Sequence, residues 1–360
     1  MTRLKYPMRL DNPRAWRTYL GGSLLDALHG KMDGEDAHFP EEWIMSVVSA
    51  RNAGREEIVE GMSHIVETGE SLAEYIAENP EAYLGASHVA KNGATPGVLI
   101  KLIDSSERLT VQVHPDRPKA RELFDSAYGK TECWHILGGR EMNGEKPCVY
   151  LGFKEGVTRE KWKAFFDTQD LKGMLDCLYR YDVEVGDTIL IEGGIPHAIG
   201  AGCFLMEIQE PTDYTIRTER TTPSGFPVAD FMCHQGLGFE KMFDCFHYGD
   251  MTKEEVRNRW FIAPKTLVET EDVIIKELIG YENTDIFKMN EVLVDGSFVD
   301  VECGETFSGL YVLEGKGIIS ANGVALMVDK GQQFFIPAGL GKLIVSGNKL
   351  RCLHCFGGEV

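Results

Sequence analysis

The sequence predicts a mainly β chain built as two jelly-roll barrels in tandem, with a few inserted helices. Three observations predict it. Short runs of strand-forming residues alternate with glycines and polar turns along much of the chain. Glycine accounts for 39 of 360 residues, about 11% against the roughly 7% of average proteins, which suits many tight turns. A set of glycine spacings in the first half also recurs in the second.

Taken in chain order, residues 12–87 read as mixed and partly helical. Ser71-Leu72-Ala73-Glu74 has the form of a capping box, in which the hydroxyl and the carboxylate each satisfy a free N–H at a helix start. Strands are expected at Gly97–Ile103, Leu109–His114, Glu132–Leu137, Thr188–Glu192, Cys203–Gln209, Gly309–Leu313 and Gln333–Ile336. Residues 117–128 predict a short helix closed by Gly129. A longer helical stretch is expected from about Thr158 to Leu178, with Trp162, Phe165, Phe166, Leu171 and Leu175 on its apolar side. Thr252 to Glu255 forms a second capping box before Val256.

The internal echo is specific. Glu132 precedes Gly139 by seven residues, and Leu310 precedes Gly317 by seven. Gly186, Gly194 and His197 have the same spacing as Gly331, Gly339 and Lys342. These offsets resemble the two motifs of cupins, double-stranded β-helix barrels of the jelly-roll kind. Glu192 stands where the second motif usually has proline, and Pro337 keeps it. The first copy carries Gln112, His114, Glu132 and His197 at the metal-ligand offsets, whereas the second has Gly304, Thr306, Leu310 and Lys342 there. The expected division is a metal-binding catalytic domain over residues 1–245, with an N-terminal extension and a helical insertion at about 156–180. A second barrel without ligands follows over 246–360.

Leu109 to Pro115 reads LTVQVHP. Alternate side chains of a strand share a face, so Gln112 and His114 point together into a barrel while Val111 and Val113 pack in its wall. Glu132 and His197 would arrive from other strands. Two imidazoles, one carboxylate and one amide oxygen form a set that zinc accepts. His29, His38, His64, His88, His135, His234 and His247 carry no such pattern, and Cys352-Leu-His-Cys355 lacks the second pair a zinc site needs.

The formal net charge of -19 argues against nucleic acid or an anionic membrane surface as partner. It also means that an anionic ligand needs a metal ion or clustered cations to reverse the local field. Nine cysteines without a paired framework read as reduced thiols. The start, MTRLKYPMRLD, has no apolar run, and no stretch approaches the roughly 18 apolar residues of a membrane span. The expected location is the cytoplasm.

Residues 99–116 (LIKLIDSSERLTVQVHPD), 129–134 (GKTECW) and 196–217 (PHAIGAGCFLMEIQEPTDYTIR) together resemble type I mannose-6-phosphate isomerases, and 41–46 (EEWIMS) does so faintly. The resemblance implies a single zinc ion on Gln112, His114, Glu132 and His197. It places Arg217 as the active-site arginine, Lys130 in proton transfer and Glu207 as a further active-site carboxylate, with Lys101 a candidate for the phosphate. The implied reaction interconverts mannose 6-phosphate and fructose 6-phosphate through a cis-enediolate. Two other readings share the ligands: a non-catalytic zinc cupin that binds a sugar or sugar phosphate, and an iron- and oxygen-using cupin oxidoreductase. The chain departs from the family pattern after Arg217, where it reads Thr-Glu-Arg-Thr-Thr, and over residues 47–95.

Overall fold

Three antiparallel sheets carry the strands of this computed structural model, which describes residues 5–301 and 303–360. Residues 1–4, where the reading of the chain's start begins, lie outside the described residues. A five-stranded sheet runs in the order 216–217, 112–113, 197–199, 148–153, 178–182. A seven-stranded sheet runs 261–262, 188–191, 132–139, 203–209, 99–104, 41–44, 14–15. The third, of nine strands, is formed by residues 265–356 together with Met8–Leu10.

Strand alternation sorts the seven-stranded sheet into two faces. Glu132, Trp134, Leu205 and Glu207 turn toward the five-stranded sheet, and Met206 turns away, where Cys355 Sγ of the third sheet approaches its sulfur at 3.9 Å. The middle sheet is thus packed on both faces, and the 99–104 strand reads LIKLID with every residue buried. The far side of the five-stranded sheet is covered by helical segments. There Val111 and Val113, fully buried, pack with Phe153, Trp162, Phe166, Phe243 and Phe246. A separate apolar core fills the third sheet, around Val292, Leu310, Phe334, Val345 and Cys352.

Two segments lie across the 245/246 division. Met8–Leu10 pairs with Gln333–Ile336 in the third sheet, and Phe261–Ile262 pairs with Thr188–Ile191 in the second.

Several local expectations are corrected. Ser71 has extended backbone angles but its hydroxyl caps nothing; the N–H of Leu72 donates instead to the Ser63 carbonyl, at 2.9 Å. The helix after Asp116 runs Arg117–Phe124, stopping where Asp125 takes φ 51°, well before Gly129. The stretch from Thr158 is two helices, Arg159–Thr168 and Leu171–Asp176. Gln169 at φ 51° breaks the first, and the Asp170 carboxylate caps the second. Leu109–Val111 does not join the strand, because the N–H of Val111 donates to Glu219 Oε1 at 2.7 Å. The Thr252–Glu255 capping box is formed in full. All nine cysteines are buried and unpaired, and among the described residues no helix is long and apolar enough to cross a membrane.

Candidate metal centre and active-site cavity

Sheet register gathers residues that are distant in sequence. Gln112 is in register with His197 on one neighbouring strand and with Arg217 on the other, so three of the expected site residues form one row. On the facing sheet, Glu207 is in register with Trp134 on one side and Lys101 on the other. His197 is delivered by the turn at Gly194, whose φ of 91° favours glycine. That turn is held by the Gly194 N–H, which donates to the His114 carbonyl at 2.7 Å.

His114, Glu132 and His197 are wholly buried, and their ligand atoms lie within 4.8 Å of one another. Nδ1 of His114 donates to the Tyr214 carbonyl at 2.9 Å and Nδ1 of His197 to that of Ile195 at 2.8 Å. Each ring therefore carries its proton on Nδ1, and the two Nε2 lone pairs face each other across 3.2 Å. Burial, with Lys130 adding to it and Glu132 opposing, pushes His114 down to about 4; burial also lowers His197. Glu132 goes the other way: burial would raise its pKa, but Lys130, His114 and His197 hold it well below the carboxylate range. Glu132 Oε1 is buried, accepts no hydrogen bond and lies 3.4 Å from His197 Nε2. Two converging lone pairs and an unshared carboxylate oxygen are what a divalent cation would satisfy, so the residues fit a metal. Gln112 reaches the group with its amide nitrogen 3.3 Å from His197 Nε2, so ligation through its oxygen requires the amide turned over.

Beside this group lies a narrow cavity of about 40 Å³, lined by Arg17, Tyr19, Glu41, Lys101, Gln112, Lys130, Glu207, Asp213 and Arg217 among others. Ion pairs fill it. Lys130 Nζ meets Glu132 Oε2 at 2.5 Å and His114 Nε2 at 3.0 Å. Lys101 Nζ meets Glu207 Oε1 at 3.0 Å, and Trp134 Nε1 donates to the other oxygen of Glu207 at 3.1 Å. Arg17 approaches Glu41 and Asp213. Arg217 donates to the carbonyls of Thr215 and Met232. Glu41 and Asp213, which burial would raise, are both held down to about 2, each with Arg17 as the foremost cation.

The structure thus brings together every expected site residue. Sequence reasoning missed Arg17, Glu41 and Asp213. Glu41 and Asp213 lie inside the runs EEWIMS and PTDYTIR, where an acidic residue amid buried neighbours was the available signal; Arg17 gave none. A wider groove of about 550 Å³, near His247, Glu192 and Trp260, contains none of the metal-group residues. Its Arg259 and Glu192 satisfy each other at 2.8 Å, so the buried titratable groups mark the smaller cavity as the reactive one.

The family described as "Mannose-6-phosphate isomerase, cupin domain" matches residues 278–354. A probable mannose-6-phosphate isomerase of Bacillus subtilis, GmuF, is 26% identical over 282 residues, spanning 78% of this chain and 79% of the relative. Among solved structures, the mannose 6-phosphate isomerase from Bacillus subtilis superimposes with a TM-score of 0.73 at 22% identity, covering 97% of this chain and 99% of that one. A zinc-bound mannose 6-phosphate isomerase gives 0.72 at 14% identity, covering 98% and 99%. These two share the fold. With the sheets, the matched barrel and the relatives in agreement, residues 278–354 match the cupin domain of mannose-6-phosphate isomerases, and the chain as a whole is similar to members of that family in sequence and in fold.

Proposed function

We propose that this chain is a zinc-dependent aldose–ketose isomerase that interconverts mannose 6-phosphate and fructose 6-phosphate through a cis-enediolate, using one zinc ion per chain. The observation that carries the reading is the convergence of His114, Glu132 and His197 on a cavity that also holds Lys130, Glu207 and Arg217. The ion would sit on those three residues and Gln112, supplying an electrophile for sugar oxygens. Lys130, at the edge of the ligand group, is placed to move the proton between C2 and C1 of an opened sugar. Glu207 keeps Lys101 and Trp134 in place, and Arg217 presents fixed positive charge to developing negative charge. The ligand set belongs to residues 1–245, and the barrel formed over 246–360 is the non-catalytic partner. The unpaired cysteines suit a cytoplasmic location.

The test is a coupled assay of zinc-loaded protein on mannose 6-phosphate beside a chelated sample and His114→Ala. Turnover that disappears in both controls supports the reading. Bound zinc with neither turnover nor exchange of the C2 proton would favour a binding protein instead.

A further inference from the structure

We infer that Arg17 is a specificity-determining residue: its guanidinium leaves Asp213 to take a doubly charged group on the ligand, so that the cavity selects phosphorylated over uncharged sugars. The inference rests on the sugar-phosphate reading above and adds to it a residue outside the motifs that led there.

Charge counting points to it first. The cavity and the ligand group beside it hold Arg17, Lys101, Lys130 and Arg217 against Glu41, Glu132, Glu207 and Asp213. Four cations balance four carboxylates, so a seated divalent ion leaves two positive charges uncompensated. A phosphate dianion cancels both; without Arg17, only one would remain. Buried charge must be matched this closely because the low-dielectric surroundings penalise any excess.

Bond geometry then separates Arg17 from the two lysines. Lys101 and Lys130 each make a direct contact with a carboxylate, at 3.0 and 2.5 Å. Arg17 Nη1 is 3.3 Å from Asp213 Oδ2, longer than the roughly 2.7–2.9 Å of a good charge-assisted bond. Its Nε lies 2.9 Å from Glu41 Oε2 but is not aligned as a hydrogen bond. The chain does build the tight two-pronged alternative elsewhere: Arg108 grips both oxygens of Glu219 at 2.5 and 2.9 Å. The fork of Arg17 is therefore loosely engaged, although the group is only 5% exposed.

The surroundings hold it ready. Its guanidinium carbon lies 5.2 Å from the centre of the Trp43 ring, and its backbone N–H donates to the His38 carbonyl at 2.8 Å. Asp213 is influenced by Lys101, Arg217 and Lys130 as well as by Arg17, so it stays compensated when Arg17 turns to a ligand. A free volume of about 40 Å³ also requires side chains to move before a hexose phosphate can enter. The Arg17–Asp213 contact, longer than the Lys101–Glu207 and Lys130–Glu132 contacts, is the one to give way.

The experiment titrates zinc-loaded protein calorimetrically with a hexitol 6-phosphate and with the same hexitol unphosphorylated, neither of which has a carbonyl to isomerise. Arg17→Gln is compared with Arg17→Gln/Asp213→Asn, which removes one cation and one anion and so keeps the buried charge balanced. Both variants should lose about 10- to 100-fold in affinity for the phosphorylated hexitol, with affinity for the plain hexitol kept within about twofold. If the double variant instead recovers wild-type affinity for the phosphorylated ligand, Arg17 merely neutralises Asp213 and the inference is overturned. Wild-type protein that shows no preference for the phosphorylated hexitol would count against the sugar-phosphate reading itself.

Discussion

Nζ of Lys130 lies 2.5 Å from Oε2 of Glu132, inside the group of side chains that converges as a metal site. Glu207, the other expected proton carrier, has one oxygen on Lys101 and the other on Trp134. Glu207 is committed to Lys101 and Trp134, whereas Lys130 stands against the ligand group, where a bound ion would hold the sugar oxygens. Lys130→Met is therefore expected to lower kcat by roughly 10²- to 10⁴-fold and to stop incorporation of solvent deuterium at C2. Glu207→Gln should cost about tenfold and leave exchange detectable. Equal losses in the two variants would reverse the assignment.

Gln112 shares a row with His197 and Arg217, and its amide must turn over to offer oxygen to an ion. Gln112→Ala should leave the two imidazoles and Glu132 in place and weaken zinc binding by about 10- to 100-fold. Competition with a chromophoric chelator measures this directly. An unchanged affinity would remove Gln112 from the ligand set.

His354 gives the chain a predictable acid sensitivity. It is buried, and Nε2 is 2.8 Å from Ser308 Oγ. Burial, with Lys288 adding to it, pushes the imidazole down to about 3. The unfolded chain, with an ordinary histidine near 6.5, binds the extra proton between those two values, so stability must fall as pH drops below about 6.5. The loss is about 1.4 kcal/mol per pH unit for this residue, on the order of 2 kcal/mol by pH 5. Urea unfolding at pH 7.5 and 5 should show it, and His354→Gln should remove this share of the difference. A variant with the full acid loss would show that other groups govern it.

Tyr311 of the third sheet donates to Glu42 Oε1 at 2.7 Å, linking that sheet to the strand Glu41–Ile44 at the rim of the cavity. Glu42 is fully buried and also accepts from Asn12, with His29 Nε2 2.6 Å from its other oxygen. Tyr311→Phe leaves those partners and removes one bond to a charged group, so unfolding free energy should fall by about 1.5–3 kcal/mol. Turnover per folded molecule should stay within about twofold. A variant as stable as wild type would mean that Asn12, His29 and Arg14 suffice.

The metal group was legible because two short-range rules fix it. Alternation along LTVQVHP assigns Gln112 and His114 to one face, and the glycine spacings place Glu132 and His197 at the metal-ligand offsets on other strands. The buried charges beyond it were not. Arg17 stands on an irregular segment, where no period says which way a side chain faces, and its partners are 24 and 196 residues away. Burial of such a residue is decided by tertiary pairing, which local pattern does not encode. The same limit explains Ser71, where a backbone bond from Leu72 to Ser63 replaced the hydroxyl cap that the sequence implied.

Met8–Leu10 closes its sheet against residues 333–336, across almost the entire chain. Met8–Leu10 therefore leaves the ribosome well before the strand it pairs with and waits for it. At roughly 5–20 residues per second, the wait is on the order of tens of seconds. During that time Met8 and Leu10, buried at the end, are exposed beside a growing chain. Synthesis speed and chaperone supply, rather than the strength of the finished barrel, should then set how much of this protein reaches its folded form in a cell.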